Sequence, residues 1–221
     1  MTEAKKPAEK AFRMPEGRLI YHNLFVRGSF KDPDTGKESD PRYSAELTFD
    51  PAQVQGEGTI EDIILEFLDR TEGGAAGDDY LAGKIHGPFV NGDQRAADRE
   101  ACKKNGDAYK GKLILRPTNK FNAKGDDAPG GIQVLGPDMK EISLTLGNRD
   151  EVYNGCYGLV AVKLYTYKLA ITKQLAISTR LVAFQKTRDG DRLGGSAGYS
   201  NLFEPVGGAS APAAGRRSRA G

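Results

Sequence analysis

The stretch Tyr157–Tyr167, YGLVAVKLYTY, alternates in side-chain character and constrains the fold more than any other segment. Val160, Val162 and Leu164 fall on one side of a period-two ribbon, and Tyr157, Lys163, Tyr165 and Tyr167 fall on the other. Successive side chains of an extended strand point to opposite faces, so the pattern predicts a half-buried β-strand. Leu19–Arg27 repeats it, with Ile20, His22, Leu24 and Val26 on one face and Tyr21, Phe25 and Arg27 on the other. Arg42–Phe49 directs Tyr43, Ala45, Leu47 and Phe49 inward. The turn-rich KDPDTGKESDP (Lys31–Pro41) between the two makes them a long-looped hairpin. Lys112–Arg116, Gly131–Leu135 and Leu175–Lys186 are further strand candidates, and 28 glycines suit a turn-rich, strand-rich chain.

One helix is expected. Thr59 is its N-cap, Asp62 supports the first turn, and Ile60, Ile63, Ile64, Phe67 and Leu68 form an apolar stripe at helical spacing. The glycine-rich Glu72–Asp79 ends it. Residues 80–111 show no clear period, although Ala96–Lys104 suits a short helix. The fold class is mainly β (α+β): a small β-barrel with long loop insertions and one clear amphipathic helix. Residues 1–16 read as a disordered N-terminal arm, 17–195 as the folded domain, and 196–221 as a flexible Gly/Ala/Pro tail with a basic end.

Charge is unevenly spread. Residues 1–102 carry 13 Lys/Arg against 20 Asp/Glu, and residues 103–221 carry 19 against 10. A basic half faces polyanions more readily than an acidic one. Cys102 and Cys156 stand far apart and form no CxxC pair, so neither a disulfide scaffold nor a zinc site is expected. No apolar run approaches membrane-spanning length and no signal peptide is evident, which predicts a cytoplasmic protein with no membrane partner.

Enzyme motifs fail one by one. His22 and His86 lie in no metal-ligand spacing, and His22 reads as a structural histidine on the apolar face of its strand. GxxxxGK[ST] and GxSxG are absent. Asp32-Pro-Asp34 lacks the glycine and closing glutamate of a calcium loop, and Asp189-Gly190-Asp191 is a turn signal. Asp126-Asp127 sits in a Gly/Pro loop without rigid support for acid–base work. The reading is of a non-enzyme with no catalytic residue, metal or cofactor.

The aromatic–basic face is more informative. Three tyrosines and a lysine on one side of Tyr157–Tyr167, echoed by Tyr21, Phe25 and Arg27, either pack under a helix or at a dimer seam, or meet nucleic acid. Bases stack on such rings whatever their sequence, and nearby cations neutralise phosphates. Lys110, Lys112, Arg116, Lys120, Lys124, Lys163, Lys168, Lys173, Lys186, Arg188 and Arg192 lie in or beside the C-terminal strands, which suggests an electropositive groove.

Three stretches resemble the phage single-stranded DNA-binding family. They are EVYNGCYG (Glu151–Gly158) running into VAVKLYTY, VAFQKTRDGDRLGG (Val182–Gly195), and, more weakly, Ile20–Phe25 followed by RYSAELTF. The likeness spans residues 17–195. It implies an OB-fold that coats single-stranded DNA in phage replication and recombination, with Gly155 and Gly158 flanking the start of a strand. On that expectation Tyr157, Tyr165, Tyr167, Tyr21 and Phe25 stack on bases. Lys163, Arg27, Lys112, Arg116, Lys186 and Arg188 contact phosphates. Partners are single-stranded DNA, phage or host replication and recombination proteins, and a second copy in a homodimer. The basic Arg216-Arg217-Ser218-Arg219 departs from the acidic tails of many such proteins, which puts tail-mediated recruitment in doubt. The rival readings are a protein-interaction or structural β-module and a metal-dependent nuclease.

Overall fold

In a computed structural model, residues 10–29, 36–119 and 132–193 are described. The alternating segment is strand β8 (Tyr157–Lys168), and it pairs antiparallel with β9 (Leu175–Arg188) from Tyr157↔Arg188 to Lys168↔Leu175. Val160, Val162 and Leu164 are buried, while Tyr165 and Tyr167 face outward, as the period-two pattern predicts. The other strands are β1 (Ala11–Arg13), β2 (Gly17–Gly28), β3 (Arg42–Phe49), β4 (Phe89–Asn91), β5 (Leu113–Leu115), β6 (Thr118–Asn119) and β7 (Gln133–Leu135).

These form one mainly antiparallel sheet. β2 pairs with β3, β3 with β5 and β6, and β6 with β9, the last in parallel. β8 pairs with β9, with β1, and with β2 at Gly17 and Arg18. β7 runs parallel to β9, and β4 adds to β5.

The main core gathers Leu19, Leu24, Leu47, Phe49, Val160, Val162, Leu181 and Phe184 from the strands. Helix α2 (Ile60–Thr71) lays Ile60, Ile64, Phe67 and Leu68 on the same cluster. Its N-terminus is held as predicted, with the Glu61 amide donating to Thr59 Oγ1. Each such side chain contributes about 1.5–3 kcal/mol by burial.

Several expectations need correction. Residues 10–16 are not part of a disordered arm: β1 pairs with β8, and Phe12 and Met14 are buried. Residues 1–9 lie outside the described residues, as does the predicted tail at 196–221. The glycine-rich segment that ends α2 starts another helix, α3 (Ala75–Leu81), and a four-residue helix, α1 (Pro51–Val54), precedes α2. The stretch 80–111 contains β4 and helix α4 (Gly92–Ala101), which begins before the Ala96 start read from sequence. Asn91 caps α4, its Oδ1 accepting from the Asp93 and Gln94 amides.

The facial assignment of β2 also changes. Leu19 pairs with Leu47 and Tyr21 with Glu46, so one residue is added to β2 at Ile20. A bulge of this kind re-aims side chains. Leu19 therefore enters the main core, while Ile20 joins a second cluster with Ala96, Tyr109 and Ile114. Beyond Asn23 the register slips again, and Val26 is 60% exposed instead of lying on an apolar face. Both faces of the sheet are covered here, one by α2 and the other by α4. This explains why Glu46 and Thr48 are buried beside inward-facing Leu47.

Candidate nucleic-acid interface

The second face of the sheet is the candidate site. Cross-strand register places Arg18 opposite Thr48, Tyr21 opposite Glu46, and Asn23 opposite Ser44. Thr118 also lies opposite Ser44. Arg18, Tyr21, Asn23, Ser44, Glu46 and Thr118 form the floor of a cavity of about 1070 Å³, and Arg95 and Arg99 from α4, with Lys104 beyond it, form a wall. Six cations line it (Arg18, Arg42, Arg95, Arg99, Lys104 and Arg116) against two acids, Glu46 and Asp107. A cleft of one sign with low-dielectric walls focuses its field on an approaching polyanion.

The acids are already engaged. Glu46 is buried, with Arg116 Nε at 3.3 Å and Arg95 Nε at 3.7 Å from its Oε1. Asp107 lies 3.0 Å from Lys110 Nζ, whose hydrogen bond holds its carboxyl below the usual range. Arg99 is fixed by a 2.9 Å bond from Nε to the Asn105 carbonyl and lies 5.1 Å from the Tyr109 ring centroid. Tyr109 itself is buried, and that burial pushes its hydroxyl pKa up. Tyr21 is the accessible ring of the groove, 48% exposed, and its hydroxyl accepts a 3.0 Å bond from Asn23 Nδ2.

At the rim, the register runs Arg18–Tyr157–Arg188 across three strands. Arg188 stacks on Tyr157, and the Arg18 guanidinium lies 5.9 Å from the same ring centroid. Arg18 Nη2 donates to the Asp191 carbonyl at 3.0 Å. Glu16 accepts from Arg188 and from the Thr187 hydroxyl, and these bonds, that from Arg188 foremost, hold its carboxyl below the ordinary value.

The residues singled out from sequence separate into groups. Tyr21 and Arg116 lie in the groove. Tyr157 and Arg188 form the rim. Lys163, Tyr165 and Tyr167 share the outer face of the β8–β9 hairpin, where the two tyrosine rings are 6.3 Å apart and Lys163 is opposite Arg180. Phe25 packs against the main core and lines a separate cavity. Arg27 stands at the irregular end of β2. Lys112 is paired with Asp50. Lys186 is only 7% exposed and lies 2.7 Å from Asp189, so it presents little surface to a phosphate. Lys120, Lys124, Asp32-Pro-Asp34 and Asp126-Asp127 lie outside the described residues.

The family model described as Enterobacter phage Enc34, ssDNA-binding protein, matches residues 14–211. The chain belongs to this family. Three solved structures of the single-stranded DNA-binding protein from bacteriophage Enc34 resemble it, each at a TM-score of 0.52. The complex with ssDNA is 17% identical and covers 86% of this chain and 97% of its own. The protein alone is 15% identical, covering 91% and 97%, and a C-terminal truncation is 16% identical, covering 87% and 99%. At such identities the likeness is one of fold. No curated protein matches the sequence.

Of the residues that line the groove, Arg18, Asn23, Arg42, Arg95, Arg99 and Lys104 were not singled out from sequence. A signal was present for two of them: Arg95 and Arg99 are four residues apart, and on a helix that spacing puts both on one face. Among the described residues, no cluster of three or more His, Cys, Asp or Glu is placed to hold a metal. Cys102 and Cys156 are both free thiols, and no described helix is long and apolar enough to cross a membrane.

Proposed function

We propose that this chain binds single-stranded DNA without strong sequence preference and without turnover, coating it during phage DNA replication and recombination in the host cytoplasm. One observation carries the reading: six cations and the accessible Tyr21 ring converge in one groove of a chain that belongs to a phage ssDNA-binding family. Phosphates follow the arginines, and bases stack on Tyr21. Each stacked base is worth about 1–3 kcal/mol, and each neutralised phosphate releases counterions. Tyr157 and Arg188 continue the path at the rim, and Lys163, Tyr165 and Tyr167 extend it onto the hairpin.

The fold reading that goes with this is an OB-like barrel. Its support is that the pairings β2–β3–β6–β9–β8 lead back to β2, with the β6–β9 step parallel.

Gel shifts with single-stranded and duplex oligonucleotides at two salt concentrations test the function. Retention of the single strand that weakens with salt is expected. A protein that ignores unpaired oligonucleotides even at low salt would overturn it.

A further inference from the structure

We propose that the cavity beside the free edge of β2 is a pocket for one unstacked nucleobase, favouring bases that carry an exocyclic amino group. This deepens the reading above and rests on it. β2 pairs with β8 only at Gly17 and Arg18. After the Gly155 amide donates to the Leu19 carbonyl, no strand among the described residues continues along that edge, and the segment Arg149–Asn154 lies against it instead. The gap is a cavity of about 670 Å³ lined by His22, Phe25, Arg149, Tyr153, Asn154 and Arg192, with Asp150 at its side. That size falls within the ~300–1,000 Å³ typical of small-ligand sites.

The cavity adjoins the groove, and Asn23, Asn154 and Leu193 line both. A strand lying in the groove can therefore turn one base into it. Phe25 supplies a half-buried aromatic surface, edge-to-face with His22 at 6.1 Å. Arg192 is held over Tyr153, 4.0 Å from the ring centroid, where it provides a cation for the flanking phosphate.

Two buried atoms specify the chemistry. Among the described residues, His22 Nδ1 and Asn154 Oδ1 have no hydrogen-bond partner. Leaving such groups unpaired costs about 1–3 kcal/mol, so each calls for an explanation. Burial lowers the His22 pKa, with an opposing interaction from the Val152 carbonyl, so His22 is neutral, and with its proton toward that carbonyl Nδ1 is an acceptor. Both orphan atoms are thus acceptors and call for N–H donors. Cytosine and adenine present an amino group, whereas thymine has a single ring N–H.

The test compares oligo-dT with an equal-length strand in which alternate positions are dC, bound by wild type and by His22→Phe at one salt concentration. Wild type is expected to favour the dC-containing strand about 2- to 10-fold, the worth of a single hydrogen bond, and His22→Phe to lose that preference while still binding. Photocrosslinking of wild type with 5-iodo-dC is expected to label Phe25 or Tyr153. Equal binding of the two strands by wild type, or adducts only on groove residues such as Tyr21, overturns the pocket and leaves the groove intact. Binding of neither strand overturns both.

Discussion

The guanidinium carbon of Arg188 lies 3.4 Å from the centroid of the Tyr157 ring, and Glu16 Oε2 holds it through Nε at 3.0 Å and Nη2 at 2.9 Å. A stacked guanidinium covers the ring face it lies on, so that face of Tyr157 cannot take a base while Arg188 is in place. The glutamate in turn occupies the anion position that a phosphate would fill. Tyr157 and Arg188 therefore act as one unit, an arginine platform with a removable counter-charge, rather than as a free stacker and a free cation.

Glu16→Gln is expected to tighten single-stranded DNA binding, because the competing carboxylate is gone while Arg188 remains on Tyr157. The slope of log K against log salt should steepen by about 0.7, one more phosphate neutralised. Fluorescence anisotropy titrations over a salt series read both quantities. An unchanged slope would remove Arg188 from the DNA path. Acid has a related effect on stability. The Glu16 pKa is lowered in the folded chain, so the pair's contribution is full above the unfolded value near 4.5 and is lost as pH falls through the folded pKa.

Tyr21→Ala is expected to weaken binding by about 1–3 kcal/mol with little effect on folding, since the ring is half exposed. Tyr21→Phe should retain most of the affinity, because stacking needs the ring and the hydroxyl bonds only its neighbour Asn23. A Tyr21→Phe loss as large as that of Tyr21→Ala would mean that the hydroxyl, not the ring face, is the contact.

Arg42→Ala should lower the salt slope by about 0.7 and weaken binding to every sequence alike, as expected of a contact made to phosphate and not to bases. The same titrations with oligo-dT and a mixed-sequence strand check this. A loss confined to one sequence would reassign Arg42 to base recognition.

What the sequence revealed follows the range of the interactions involved. β8 and α2 were legible because their patterns are local: Val160, Val162 and Leu164 at period two, Ile60, Ile64, Phe67 and Leu68 at helical spacing. The bulge at Ile20 was not, since it exists only in the pairing of β2 with β3, and it moves Ile20 under α4. The groove was half legible. Tyr21 stood in an alternating segment that is β2, and Arg116 just past the apolar run that is β5. Arg95 and Arg99, on a polar helix with little apolar stripe, resembled any solvated surface until the fold set Arg95 against Glu46 and Arg99 over Tyr109. Lys186 shows the opposite error: a strand lysine that looked like a phosphate contact is buried against Asp189, and its ammonium lies 5.3 Å from the Tyr153 ring centroid.

His22 makes stability depend on pH on the acid side of neutrality. Burial lowers its folded pKa, so the unfolded chain binds the proton more readily. The contribution of neutral His22 is full above the unfolded value near 6.5 and declines as pH drops toward the folded pKa. Denaturant midpoints should therefore fall between pH 7 and 5.5, and less so in His22→Phe. Parallel pH profiles for the two proteins would exclude His22 as the source.

Gly155 ties the groove to the fold, and a methyl group there should damage both. Its φ is 113°, and an added Cβ would come within 2.0 Å of the Asp191 carbonyl oxygen. Its amide donates to the Leu19 carbonyl at 2.6 Å, and Arg18 is anchored on the Gly155 and Asp191 carbonyls. Gly147 is the control: its φ is 70°, but nothing lies within 4 Å of a Cβ there. Gly147→Ala carries backbone strain alone, about 1–2 kcal/mol. Gly155→Ala adds a clash with backbone that cannot yield without displacing residues 191–193, so it should cost clearly more, with Tm falling by roughly 2–4 °C per kcal/mol. Because Arg18 loses its anchor, DNA affinity should fall for Gly155→Ala even where the protein remains folded, and should hold for Gly147→Ala. Thermal melts and anisotropy on both variants separate the two effects. Equal melting temperatures would show that the Asp191 turn moves freely, and the rigid anchor argued for Arg18 would be lost with it.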